Sequence, residues 1–148
     1  MDFFNSDCCD TYDNIDQGPK PFVTNLRQDT LENTNFRTAR WTCKNMQLTL
    51  MSVPVDSDIG MDVHDTSDQF FYIERGSALV IMGNCPDCLN YQAHVYENYS
   101  ILVPAGTWHN VINTGPDKLK MFSIYAPALH PYGTIYETRD EETTYLDL

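Results

Sequence analysis

From Phe36 onward, apolar and polar side chains alternate, the pattern of strands that bury one face. The alternation predicts strands over residues 36–42, 46–53, 61–64, 69–74, 77–82, 91–96, 100–103, 107–112 and 119–125. Turn residues divide them, among them Pro54 to Gly60, Pro104-Ala105-Gly106 and Thr114-Gly115-Pro116. The strands at 69–74 and 77–82 meet at Arg75-Gly76, as in a tight hairpin. Only residues 24–35 carry a helical or turn signal, with Leu26 and Leu31 as its apolar contacts. Many short strands at this spacing predict an all-β sandwich or barrel.

The ends of the chain lack this texture. Residues 1–22 are rich in Asp, with two Asn, and reach Gly18-Pro19-Lys20-Pro21, the composition of a flexible acidic tail. The domain proper then spans 23–148, and its acidic end, residues 137–148, reads as surface.

Composition narrows the function classes. A chain of 148 residues can bury a real core. It contains no apolar run of the ~18 residues that a membrane helix needs. Met1 to Asp7 lack a basic region followed by an apolar one, so the expected location is the cytoplasm. The net charge of −12, from 21 acidic and 9 basic residues, argues against nucleic acid and against anionic membranes. It leaves open an anionic small molecule in a pocket, where local field decides. Five cysteines, an odd number without a secretion signal, point to reduced thiols. Cys85-Pro86-Asp87-Cys88 has the spacing of a zinc half-site or a redox pair, but its flanks are β-loop and no good second pair exists, so it reads as a loop.

Two blocks interrupt the strand pattern with metal-competent side chains: Asp62-x-His64-x4-Gln69-x6-Gly76 and Pro104-x-Gly106-x2-His109-x3-Asn113. Burying such groups without partners costs about several kcal/mol, so a core that holds them usually pairs them or binds a metal. Strand periodicity puts Asp62 and His64 on one face, and Gln69, Phe71 and Ile73 on one face of the next strand. If those faces line a barrel interior, two imidazoles, a carboxylate and an amide oxygen converge. Such a set suits a divalent transition metal with open positions; the alternative is a metal-free hydrogen-bonded cluster.

These blocks resemble the two motifs of the cupin superfamily, G-x5-H-x-H-x3,4-E-x6-G and G-x5-P-x-G-x2-H-x3-N. Pro104, Gly106, His109 and Asn113 match the second motif; His64 and Gly76 match the first. Asp62 stands at the family's first His, Gln69 at its Glu, and Asp56 and Asn98 at the two leading Gly positions. One carboxylate therefore remains in the set. The resemblance covers residues 36–130 and implies a jelly-roll β-barrel with one divalent metal (Zn, Fe, Mn or Ni) at Asp62, His64, Gln69 and His109. It also implies a small-molecule ligand and a homodimer paired through its sheets.

Three functions follow from the resemblance. The first is a metal-dependent enzyme on a small polar metabolite, of sugar or sugar-phosphate isomerase type, similar to mannose-6-phosphate isomerase-like cupins. There His130 or a tyrosine, Tyr125, would move the proton. The second is an iron-dependent dioxygenase, with Phe71, Ile73 and Met121 as pocket walls. The third is a non-catalytic ligand-binding barrel. For His130 the alternative is a surface histidine before Pro131; Tyr125 and Ser123 divide between pocket and packing. Arg37 and Arg40 are either an anion anchor or solvated edge charge, and His94 is not expected to be a ligand.

Overall fold

The computed structural model describes residues 15–146. It contains α1 (Leu26–Glu32), β1 (Arg37–Thr42), β2 (Gln47–Val53), β3 (Asp68–Arg75), β4 (Ala78–Gly83), β5 (Tyr91–Val95), β6 (Ser100–Val103), β7 (Trp108–Asn113), β8 (Leu119–Ala126), β9 (Ile135–Tyr136) and α2 (Arg139–Leu146). Six strands form one sheet in the order β6-β3-β8-β2-β1-β9, and three form a second in the order β5-β4-β7. All named pairings are antiparallel. The two inner faces meet over one apolar cluster that includes Met51, Phe71, Ile73, Val80, Val111 and Met121. On β2 and β8 the outward residues Leu50 and Phe122 are buried as well, because α1 lies over β8, β3 and β2. The short helix begins at Asn25, whose side chain accepts from the Gln28 amide and so satisfies one of the unpaired first-turn donors.

Several expectations need correction. β3 and β4 are not a hairpin: β3 pairs with β6 and β8, β4 with β5 and β7. Between them the chain crosses from one sheet to the other at Gly76, where φ is 105° and an added Cβ would lie 3.3 Å from Leu119. Residues 61–64 form no strand; Asp62 alone bridges to His109 through two backbone hydrogen bonds. The described part of the N-terminal segment is docked rather than loose. Asp16 is buried, and its carboxylate accepts from Thr42 Oγ1 and from the Gly133 amide. The Trp41 indole donates to the Lys20 carbonyl. Residues 1–14, including Cys8 and Cys9, lie outside the described residues. Cys85 and Cys88 are joined as a disulfide, because the turn between β4 and β5 brings their Cα atoms to 5.0 Å. The loop assignment stands, but these two thiols are not free.

Candidate metal and ligand site

Inward-pointing residues of β2, β3 and β8 stack in rows across the large sheet: Gln47 and Gln69 flank Tyr125, Thr49 and Phe71 flank Ser123, and Met51 and Ile73 flank Met121. The first two rows bring polar side chains to one end of the barrel. There a cavity of about 790 Å³ opens, lined among others by Arg37, Asp62, His64, Gln69, His109, Tyr125, His130, Arg139 and Glu142.

Local chemistry aims these groups. The Gly106 amide donates to the His64 carbonyl, tying the second motif to the first. Gly106 takes φ 81° to make that turn. Asp56 and Asn98, at the two positions where the family has glycine, sit at φ 61° and 71°. The backbone demand is thus met by the two side chains that tolerate it best. Asn113 is a staple rather than a ligand: its amide donates to the carbonyls of Val53, Pro54 and Asp117, and its oxygen accepts from the Gly115 amide.

His109 is buried, and its Nδ1 lies 3.0 Å from the Thr107 carbonyl. A carbonyl can only accept, so Nδ1 carries the proton and Nε2 presents its lone pair to the cavity. That Nε2 is buried and has no partner, and neither has Gln69 Oε1. The His64 and His109 rings are 5.3 Å apart, and His64 Nε2 lies 3.8 Å from Asp62 Oδ2. Asp62 is at the rim, with its other oxygen on the Val63 amide. Among the described residues no three His, Cys, Asp or Glu side chains stand close enough to hold an ion by themselves. A metal here therefore draws on the amide oxygen of Gln69. Buried acceptors left unpaired are costly, and a cation is the partner that would satisfy both Gln69 Oε1 and His109 Nε2. The donor set fits a divalent ion.

The second half of the site is a hydrogen-bonded chain. Arg37 Nη1 donates to Thr49 Oγ1 at 3.1 Å and to the Tyr125 hydroxyl at 2.8 Å. The hydroxyl lies 3.3 Å from His130 Nε2, to which it can donate. Gln47 holds His130 in place: its oxygen accepts from the amides of Leu129 and His130, and its nitrogen donates to the His130 carbonyl. His130 is therefore a cavity residue, not a surface one.

Burial, reinforced by the Arg37 charge, pushes the His130 imidazole down to about 2. Burial also lowers His64 and His109, against the pull of Asp62. The three rings are neutral at pH 7, the form that binds metals. Burial raises the Tyr125 hydroxyl and keeps it protonated. For Arg37, burial disfavours the charge, but Tyr125 and Glu142 outweigh it and the group stays a cation.

Arg37 and Arg40 are not solvated edge charges. Arg37 is 4% exposed and pairs with Glu142, while Arg40 is buried against Asp29. The acidic C-terminal stretch is likewise not all surface, since it delivers Glu142 into the cavity. Sequence reasoning missed Gln47 and Glu142; the only local signal for Gln47 was a polar residue on the inward parity of β2. His94 lies exposed on β5, away from the cavity, as expected. Phe71, Ile73 and Met121 are fully buried in the packed core below the cavity and do not line it.

Among the described residues no helix is long and apolar enough to cross a membrane. The Cupin_2 model, the cupin domain, matches residues 49–125. YrkC of Bacillus subtilis (strain 168) is 55% identical over 124 residues, 84% of this chain and 67% of its own length. L612 of Acanthamoeba polyphaga mimivirus is 40% identical over 116 residues, 77% of this chain and 70% of its own. The crystal structure of BH2720 from Bacillus halodurans superposes with a TM-score of 0.87 at 49% identity, over 88% of this chain and 98% of that one. YrkC and L612 are uncharacterised, and the likeness to mannose-6-phosphate isomerase finds no support in these comparisons. The second-motif match, the two-sheet barrel and these relatives agree: this chain belongs to the cupin family.

Proposed function

We propose that this cupin is a divalent-metal-dependent enzyme acting on a small polar metabolite, with isomerase-type proton transfer as its chemistry. The observation that carries the reading is the pair of buried, partnerless acceptors, Gln69 Oε1 and His109 Nε2, facing the same cavity as Tyr125 and His130. His64, His109 and Gln69 would hold the ion, with Asp62 at the rim. When bound, such an ion polarises a carbonyl or hydroxyl oxygen as a Lewis acid.

The rest of the work falls to the chain itself. Tyr125 is held protonated by burial and lies between Arg37 and His130, so its hydroxyl can give a proton to a substrate oxygen, with neutral His130 placed to take the proton the substrate loses. Neutral His130 accepts the hydrogen bond and keeps the hydroxyl oriented. The dioxygenase alternative loses Phe71, Ile73 and Met121 as walls, since they are committed to the core; the apolar lining is instead Phe36, Ile59, Met61, Val63 and Leu129.

Elemental analysis of the untagged protein tests this reading. About one equivalent of a divalent ion is expected in the wild type, and it should be lost in His64→Ala and His109→Ala variants whose circular dichroism is unchanged. Protein free of metal even after incubation with zinc, manganese, nickel and ferrous salts would remove the enzyme reading and leave a ligand-binding barrel.

A further inference from the structure

The C-terminal helix places a carboxylate inside the cavity, directly on its buried cation. We propose that Glu142 occupies the seat of the ligand's own carboxylate, so that the ligand is a small organic acid anchored on Arg37. This deepens the function proposed above: it rests on the cavity being the ligand site, but it does not require the metal.

The argument starts at Arg37. Its guanidinium is buried, and Nη1 is held by two neutral hydroxyls, those of Thr49 and Tyr125. Glu142 is the one carboxylate that hydrogen-bonds to it among the described residues. A buried cation without a counter-ion is strongly disfavoured, so Glu142 can leave only if another anion takes its place. The seat is built to exchange anions rather than to stand empty.

Glu142 also fills the seat imperfectly. The contact is single-armed, Arg37 Nε to Glu142 Oε1 at 3.1 Å, while Glu142 Oε2 is buried without a partner. Guanidinium and carboxylate prefer two parallel hydrogen bonds. Glu142 makes only one of the two, and a small carboxylate that is free to orient can make both. The helix that carries Glu142, α2, spans only Arg139–Leu146 and follows the last strand. Its described ties include Arg139 to the Asp58 carboxylate at 2.9 Å and to the Asp58 carbonyl at 3.1 Å, both at the rim.

The field favours the same class of ligand. The chain as a whole carries −12, yet Arg37 acts on all three cavity histidines as a positive neighbour. The cavity is lined by two cations, Arg37 and Arg139, and two carboxylates, Asp62 and Glu142, so displacement of Glu142 leaves one net positive charge for one small anion to meet. The carboxylate on Arg37 leaves the remainder of the molecule toward His64, His109 and Gln69, which line the same cavity.

The test is calorimetric titration of the full chain, treated with EDTA, with malonate as the probe. The Glu142→Gln variant, freed of the competing charge, should bind malonate at least tenfold more tightly than the wild type, and both should prefer malonate to sulfate. In the wild type, saturation with malonate should speed hydrogen exchange of the 139–146 amides as the helix gives up its seat. Malonate binding that is equal in wild type and Glu142→Gln, or absent from both folded proteins, overturns the proposal. So does sulfate binding as tightly as malonate, which would mark the pocket as one for any anion. Because metal is absent throughout, this failure is distinct from a failure to find metal in the elemental analysis, and either can occur alone.

Discussion

The two halves of the barrel interior are built from the same strands and behave differently. Along β2, β3 and β8, Met51, Ile73 and Met121 fill one half, while Gln47, Thr49, Gln69, Ser123 and Tyr125 face the other. The apolar half is satisfied by its own packing; every one of its residues named here is fully buried. The polar half is nearly as buried but stays incomplete. Four buried side-chain atoms lack a partner among the described residues, and three of them, Gln69 Oε1, His109 Nε2 and Glu142 Oε2, belong to residues that line the cavity. The fourth, Asn110 Oδ1, sits on β7 beside His109. The difference separates two kinds of buried residue. One half specifies the fold, and the other accepts unpaired polar atoms that a stable core would not keep unless something else satisfies them.

Truncating the apolar half should give the largest effect on stability. Met121 is fully buried in the central row, so Met121→Ala removes contacts and leaves a void, at an expected cost of about 2–5 kcal/mol. Urea denaturation measures the loss, and metal content per folded molecule should not change. If metal falls along with stability, the two halves are coupled and the division drawn above fails.

Acid should act on the other half. His130 titrates at about 2 in the folded protein and near 6.5 in the unfolded chain. Above roughly pH 6.5 the ring is neutral in both states and contributes nothing. Below that value the unfolded chain takes up a proton that the native state refuses, so stability falls as pH falls, by up to about 1.4 kcal/mol per pH unit for this ring. The effect ends only near the folded value. His64 and His109 are lowered by burial as well and act in the same direction. Urea midpoints of EDTA-treated protein at pH 7 and pH 5 should therefore differ, and His130→Asn should shrink the difference. An unchanged difference would mean that His130 is solvated and not part of the cavity.

How much of this the sequence discloses depends on the range of the interactions. Period-two alternation marks eight of the nine strands, because each is long enough to show both faces. β9 has only two residues, Ile135 and Tyr136, too few to show any period. Residues 61–64 alternate like a strand, yet only Asp62 finds a partner, so side-chain parity was right where the strand assignment was not. The second motif gave His109 its place, since a turn and a histidine at fixed spacing are local facts. The pairing of Arg37 with Glu142 was illegible for the opposite reason, although an anion anchor was one of the two readings of Arg37. The two residues lie 105 positions apart, and each taken alone, a cation at the start of a strand or an acid in an acidic run, belongs in water. Only the fold makes them a buried pair. Asp56 and Asn98 lie between these cases: they depart from the family's glycines but keep the left-handed backbone those glycines serve.

Gln69 gives the smallest expected change in stability and the sharpest contrast between the halves. Its oxygen has no partner, and its nitrogen makes one long contact, 3.4 Å to Ser123 Oγ, which already bonds to Thr49 Oγ1 at 2.9 Å. Gln69→Leu keeps most of the volume and removes a buried acceptor that nothing in the protein satisfies. Replacing such a group by an apolar one of similar shape is nearly neutral, so stability of the EDTA-treated protein should move by less than about 1 kcal/mol, in either direction. Metal uptake should respond quite differently, because the set that remains, His64, His109 and a rim carboxylate, lacks the amide oxygen that completes it. Equilibrium dialysis against zinc should show at least a tenfold weaker site. A variant that is destabilised by several kcal/mol and still binds zinc as the wild type does would place Gln69 with the apolar rows, as part of the fold and not of the site.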